Sequence, residues 1–265
     1  MHYTVYLRLV ALTAGTLLPF FWMVVILGHR RQRNFERIFF FLCLALVFVF
    51  GGSLLALNAE LFYDVTPRVL RIFAWALVCI GLWFVPSLLV HLHLEYAGVR
   101  ELLLPRPSTR LKLLAPYAPI ILLLPSFVAA LSPHTIPDFL FPGNALGMAF
   151  QAWLASAFLL SAFWQRSFIR VAPDQAQRSF HLGLFANFAF LALATIAAEL
   201  FLPRSSAGSH SVEFWLDVFL FLAVAPLLSL LRSVQKFNFL QIGRQRNLLY
   251  AVFAAFIGFL KRNRN

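Results

Sequence analysis

Residues 72–98 read IFAWALVCIGLWFVPSLLVHLHLEYAG. No charged side chain interrupts 72–90, and a bilayer hydrocarbon core about 30 Å thick is crossed by about 20 such residues in a helix. A membrane leaves no water to satisfy exposed peptide groups, so a span is either a helix or part of a closed barrel. The run shows none of the short two-residue alternation of an outer-membrane barrel strand, and it reads as a transmembrane helix.

Comparable runs recur along the chain. The spans fall at about Leu7–Gly28, Ile38–Leu57, Ile72–Leu92, Leu113–Leu131, Leu146–Trp164, Leu182–Leu202 and Phe214–Leu231. The fold class expected is therefore all-α, a polytopic membrane helix bundle with seven transmembrane helices. Composition agrees: of 265 residues, 61% are hydrophobic and 12% charged, and mean hydropathy is +0.81. A soluble fold, a disordered chain and a disulfide scaffold are excluded. Cys43 and Cys79 both sit inside apolar runs, where a thiol is a packing group, and their spacing matches no zinc or redox motif. The amino-terminal run follows Arg8 without a cleavage signature and reads as a retained first span.

The formal charge of +12 is not a nucleic-acid signal, because the basic residues lie between apolar blocks rather than along one polar face. Arg30, Arg31, Arg33 and Arg37 follow span one; Arg100, Arg106, Arg110 and Lys112 follow span three; Arg166, Arg170 and Arg178 follow span five; Arg232, Lys236, Arg244 and Arg246 follow span seven. Only Glu36, Glu95, Glu101 and Asp174 accompany them. The amino terminus and the other loops are instead slightly acidic, with Glu60, Asp64, Asp138, Glu199, Glu213 and Asp217 against Arg8, Arg68, Arg71 and Arg204. By the positive-inside rule the amino terminus is outside, in a multi-pass protein of the bacterial inner (cytoplasmic) membrane.

The last apolar run, Leu248–Leu260, covers only about 20 Å as helix at about 1.5 Å per residue. Crossing would also carry KRNRN to the outside, against the pattern of every other loop. The expectation is a seven-helix membrane domain at 1–240, followed at 241–265 by a basic cytoplasmic linker and a truncated eighth helix. A half-inserted helix packed on the bundle is the competing reading.

No nucleotide-binding glycine loop, H-E-x-x-H, G-x-S-x-G or kinase-type catalytic loop occurs, and the connections are too short for a catalytic domain. The chain is expected not to be an enzyme and to use no cofactor or metal. The partners expected are the lipid bilayer, a second copy of the chain and an unknown small ligand or membrane stimulus, with no nucleic acid.

Ionisable groups at membrane depth are the default functional candidates, because each is costly unless paired or hydrated. His91 and Glu95, four apart, share a helix face at the cytoplasmic end of span three, with His93 pointing elsewhere. A histidine beside a carboxylate can hold a proton, a metal ion or a haem propionate. Its competitor is plain snorkelling to the headgroups. A haem would want an opposed histidine, for which His181 is the candidate. At the outer ends, Glu199 and Asp217 stand out among acids whose ordinary role is a solvated surface. Asn187 and Gln151 fit interhelical hydrogen bonds. Of the prolines that interrupt spans, Pro226 lies directly upstream of the basic segment RSVQKFNFLQIGRQRN, where a kink would couple the bundle to the cytoplasmic residues beyond it. The candidate sensing or coupling residues are thus His91, His93, Glu95, Glu199, Asp217 and Pro226.

Residues 88–126 also carry a resemblance. Leu92, Glu95, Tyr96, Ala97 and Gly98 occupy the places of a segment similar to F-A-L-E-Y-T-G that ends a helix in the amino-terminal seven-helix sensory region of bacterial sensor histidine kinases. The basic loop GHRRQRNFERIFFF and the outside-first topology fit the same region. The resemblance implies a homodimeric receptor module that senses a small ligand or membrane stimulus and passes it to cytoplasmic output domains. Such kinases continue into a phosphoacceptor helix pair and an ATP-binding domain, neither of which lies within these residues.

Two other functions compete. A small transporter or channel is suggested by kinked helices and outer acids, but mid-span ionisable groups are nearly missing. A membrane-embedded enzyme or electron carrier would have to use His91, Glu95 and His181.

Overall fold

The structure, a computed structural model, describes residues 2–28, 34–63, 65, 67–99, 115–121 and 145–201. Five long helices carry nearly all of them: α1 (His2–Leu27), α2 (Asn34–Phe62), α3 (Arg68–Val99), α4 (Ala145–Val171) and α5 (Gln175–Phe201). A short 3-10 turn, Ala115–Tyr117, leads into helical residues 118–121. No strand occurs among the described residues. The described residues are all-helical in class, and all five long helices are long and apolar enough to cross a membrane. They coincide with expected spans one, two, three, five and six. The fourth span is described only over 115–121, while the seventh span and the short eighth lie outside the described residues.

The helices outrun the apolar stretches that announced them. α3 is 32 residues long and α2 29, which at about 1.5 Å per residue exceeds a hydrocarbon core of about 30 Å by several ångströms at each end. The largest departure is between spans five and six, where the sequence predicts a basic loop across 165–181. Instead α4 runs to Val171 and α5 begins at Gln175. Arg and Gln are good helix formers, so the end of an apolar run marks the edge of the bilayer core rather than the end of the helix. Pro173 helps stop α4. Asp174 then caps α5, its Oδ1 accepting from the Gln177 backbone N–H at 2.6 Å, and Arg178 Nε donates to the Ala172 carbonyl at 3.2 Å.

α2 packs between α1 and α3, α4 pairs with α5 as a hairpin, and α3 joins the two groups through α4. Glycine permits the closest approach. A Cβ on Gly81 of α3 would stand 2.5 Å from the Ala45 carbonyl oxygen of α2, and one on Gly52 of α2 would stand 2.8 Å from the Ala74 carbonyl oxygen of α3. Lipid tails are as apolar as leucine, so membrane helices gain by bringing backbones together at small residues. Cys43 and Cys79 are fully buried and unbonded to each other.

The main core draws on four helices, with Ile38, Leu42 and Ala45 from α2, Leu88 and Leu89 from α3, Ala162 from α4, and Phe188 and Leu191 from α5. Phe41, Phe73, Phe163 and Leu193 face outward, as a lipid-facing surface requires. Hydroxyls at membrane depth bond within their own helices: Thr16 to the Leu12 carbonyl, Ser53 to Val49, Ser161 to Ala157 and Thr195 to Leu191.

Candidate functional site

One end of the bundle, where α3 finishes and the α4–α5 hairpin turns, concentrates buried polar side chains. His91 and His93 of α3, Gln165 of α4 and His181 of α5 are each no more than 5% exposed. Residues 91 and 93 lie two apart on a helix and so project in different directions. They build two separate arrangements.

His93 enters the α3–α4–α5 junction. Its Nδ1 lies 2.8 Å from the Leu89 carbonyl, which can only accept, so Nδ1 carries the proton. In the neutral ring Nε2 is then an acceptor, and the Gln165 amide nitrogen donates to it at 3.0 Å. That leaves Gln165 Oε1 as the acceptor for His181 Nδ1–H at 2.8 Å. Nε2 of His181 is in turn the acceptor for the Tyr96 hydroxyl, 3.5 Å away at the limit of hydrogen bonding. The chain runs in one direction, from Tyr96 through His181, Gln165 and His93 to Leu89. It spends both polar ends of the Gln165 amide on two different helices.

Aromatic rings seal this chain. Phe168, one turn beyond Gln165, lies against His93, His181 and Tyr96, with ring centroids 6.4, 5.5 and 4.7 Å away. Phe188 of α5 meets His93 edge-on at 5.5 Å. Phe35 of α2 reaches the far side of Tyr96 at 5.7 Å. In such surroundings an unpaired donor or acceptor costs about 1–3 kcal/mol, which is why the polar atoms occur as a bonded set.

His91 turns the other way. Its Nδ1 is 3.1 Å from the Tyr117 hydroxyl, and its Nε2 is 4.0 Å from Glu95 Oε1. The imidazole bridges a phenol and a carboxylate, an arrangement able to hold a proton. At 4.0 Å the carboxylate acts by charge rather than by a hydrogen bond. Glu95 is 19% exposed, so the pair communicates with the surface.

The sequence-predicted residues therefore divide. His91 and Glu95 are adjacent as their spacing suggests, and His93 belongs to a different cluster. His181 meets Gln165 and Tyr96, and Gln165, not an intervening group, connects it to His93. Both His93 ring nitrogens are engaged, so that ring offers no lone pair to a haem iron. Glu199 falls in the last turn of α5, at the opposite end from His181. The Glu199 side chain, Asp217 and Pro226 lie outside the described residues. Sequence reasoning passed over Gln165, Tyr117 and the role of Tyr96. A signal for Gln165 was present: Ser161 and Gln165 form a polar pair four apart in an apolar run, and a hairpin centred on Pro173 sets 165 opposite 181.

Comparison with known proteins gives no matching family model, no matching curated protein and no matching solved structure. The functional reading rests on the residues.

Proposed function

We propose that this chain is the membrane-embedded sensing module of a bacterial histidine kinase-type signalling protein. It works as a homodimer in the inner membrane, with its amino terminus outside, and passes a membrane or periplasmic stimulus to cytoplasmic output domains. The observation that carries this reading is the buried chain Tyr96–His181–Gln165–His93, which ties three helices together at one end of the bundle. Directional polar contacts tolerate helix sliding poorly. A shift of one helix therefore breaks a bond or forces a new one, and a greasy interface would simply slip. Tyr96, one of the residues that carry the resemblance to the kinase sensory region, belongs to this junction, and Glu95 lies beside it on the same end of α3. The same end of the bundle adjoins Arg166, Arg170 and Arg178, basic residues that by the positive-inside rule support a cytoplasmic location for it.

The test is genetic. A chromosomal Gln165→Leu strain with matched protein level is compared with a deletion strain by transcript profiling. The expected result is that both shift the same limited gene set, in the manner of a broken receptor. A deletion that leaves transcription unchanged, with solute flux through proteoliposomes of the purified chain, would overturn the proposal in favour of transport.

A further inference from the structure

The hydrogen-bond chain has a second self-consistent arrangement, reached by adding one proton. With His93 neutral, Nδ1–H is committed to Leu89 and Nε2 must accept. The Gln165 amide can then stand only one way, nitrogen toward His93 and oxygen toward His181. Turning the amide over in this state would put its oxygen against the lone pair of His93 Nε2. Protonating His93 without turning the amide would set Nε2–H against the amide N–H. Each change is forbidden alone, and the two together, with a tautomer shift at His181, restore every bond of the chain. In the second arrangement His93 Nε2–H donates to Gln165 Oε1. The Gln165 amide then donates to His181 Nδ1, and His181 carries its proton on Nε2, donating to the Tyr96 oxygen.

We infer that Gln165 is the moving part of a two-state, proton-coupled switch, in which protonation of His93 turns the Gln165 amide over and converts His181 from the Nδ1–H to the Nε2–H tautomer. The balance is one proton taken up from water by His93 Nε2. His181 gives up one ring proton and gains another, so its charge is unchanged, and nothing is oxidised or reduced. The groups that face His93 are few. From α3 there is the Leu89 carbonyl; from α4, Gln165 and Phe168; from α5, Phe188, with His181 beyond the amide. Phe35 of α2 meets the cluster at Tyr96. Glu95 lies beside His91, on the other arrangement. Among the described residues no carboxylate pairs with His93, so the neutral arrangement is the resting one.

The consequence falls on Tyr96. In the resting state its hydroxyl donates to His181; in the switched state its oxygen accepts from His181, and its own proton is turned away from that ring. Tyr96 packs on Phe35 and Phe168, so a proton at His93 is felt where α2, α3 and α4 meet. This device is independent of the signalling reading, since it derives from the bonding of the bundle alone.

Ring-15N histidine spectra of the full chain in phospholipid nanodiscs test it, taken from about pH 8 to about pH 4, a range that brackets ordinary imidazole titration. His93→Gln and His181→Gln assign the two rings by loss of signal. At the alkaline end both rings should be neutral with the proton on Nδ1. On acidification His93 should become doubly protonated, and His181 should lose its Nδ1–H signal and gain Nε2–H with the same midpoint. In Gln165→Met the His181 tautomer should no longer follow His93; if that variant does not fold, the unsubstituted titration decides alone. The switch is overturned if His181 keeps Nδ1–H while His93 titrates. It is equally overturned if His93 stays neutral throughout, or if helical circular dichroism is lost before His93 gains its proton.

Discussion

Gln165 and His181 face each other across the α4–α5 hairpin, the amide oxygen of one accepting the ring N–H of the other at 2.8 Å. Because the same amide also donates to His93, a residue with no charge fixes three helices at one point. Its removal is therefore a sharper perturbation than removal of a surface ion pair.

Gln165→Leu leaves His181 Nδ1–H and His93 Nε2 buried without their partner. At about 1–3 kcal/mol for each of the two stranded groups, the expected loss is about 2–6 kcal/mol, offset in part by the apolar surface of leucine. Unfolding of the detergent-solubilised chain, followed by circular dichroism, should show this as a marked fall in the midpoint. Ser156→Ala removes only an exposed intrahelical bond and should change little.

Gly81→Ala should destabilise through backbone contact rather than lost chemistry. The added methyl would meet the Ala45 carbonyl oxygen at 2.5 Å, with Val49 at 2.7 Å, so α2 and α3 must part. Overpacking of this kind costs about 1–3 kcal/mol. Gly51→Ala is the matched control, because its methyl would meet only the Thr16 side chain at an ordinary 3.5 Å. Gly51→Ala should match or slightly exceed the unsubstituted thermal midpoint, because alanine is the better helix former, and Gly81→Ala should fall well below both.

Periodicity and charge set the limit of what was legible in the sequence. Uninterrupted apolar runs locate the bilayer core, and five of them are helices here. They do not report helix ends, since Arg166 and Arg170 continue α4 as readily as leucine would. The i, i+4 rule places His91 beside Glu95 because both lie on one helix. The contact from His93 to Gln165 depends on how α3 meets α4, which no local pattern encodes. Gln165 was visible only as a polar residue in an apolar run, and its meaning emerged once the turn at Pro173 set it against His181.

Asp174→Ala should loosen the same hairpin from its turn. The side chain satisfies the Gln177 N–H, one of the four amides that a helix start leaves unpaired, and such caps are worth about 0.5–2 kcal/mol. Asp174→Asn keeps the acceptor and should recover most of the loss. Amide hydrogen exchange at the first turn of α5 should be faster in the alanine variant and close to normal in the asparagine variant.

The orientation of the bundle can be read with thiols, because the two native cysteines are out of reach. Cys43 and Cys79 are 0% exposed within the helix packing, so both should resist maleimides until the chain is denatured. On that silent background Val65→Cys, in the exposed connection between α2 and α3, and Gln175→Cys, at the exposed start of α5, report opposite sides. The proposed orientation puts the turn at 172–174, with its basic flanks, in the cytoplasm and Val65, beside the acidic end of α2, outside. A membrane-impermeant maleimide should therefore label Val65→Cys in intact cells, and Gln175→Cys only after permeabilisation. The reverse pattern would place the Gln165 junction on the outer face, where no cytoplasmic output domain could read it.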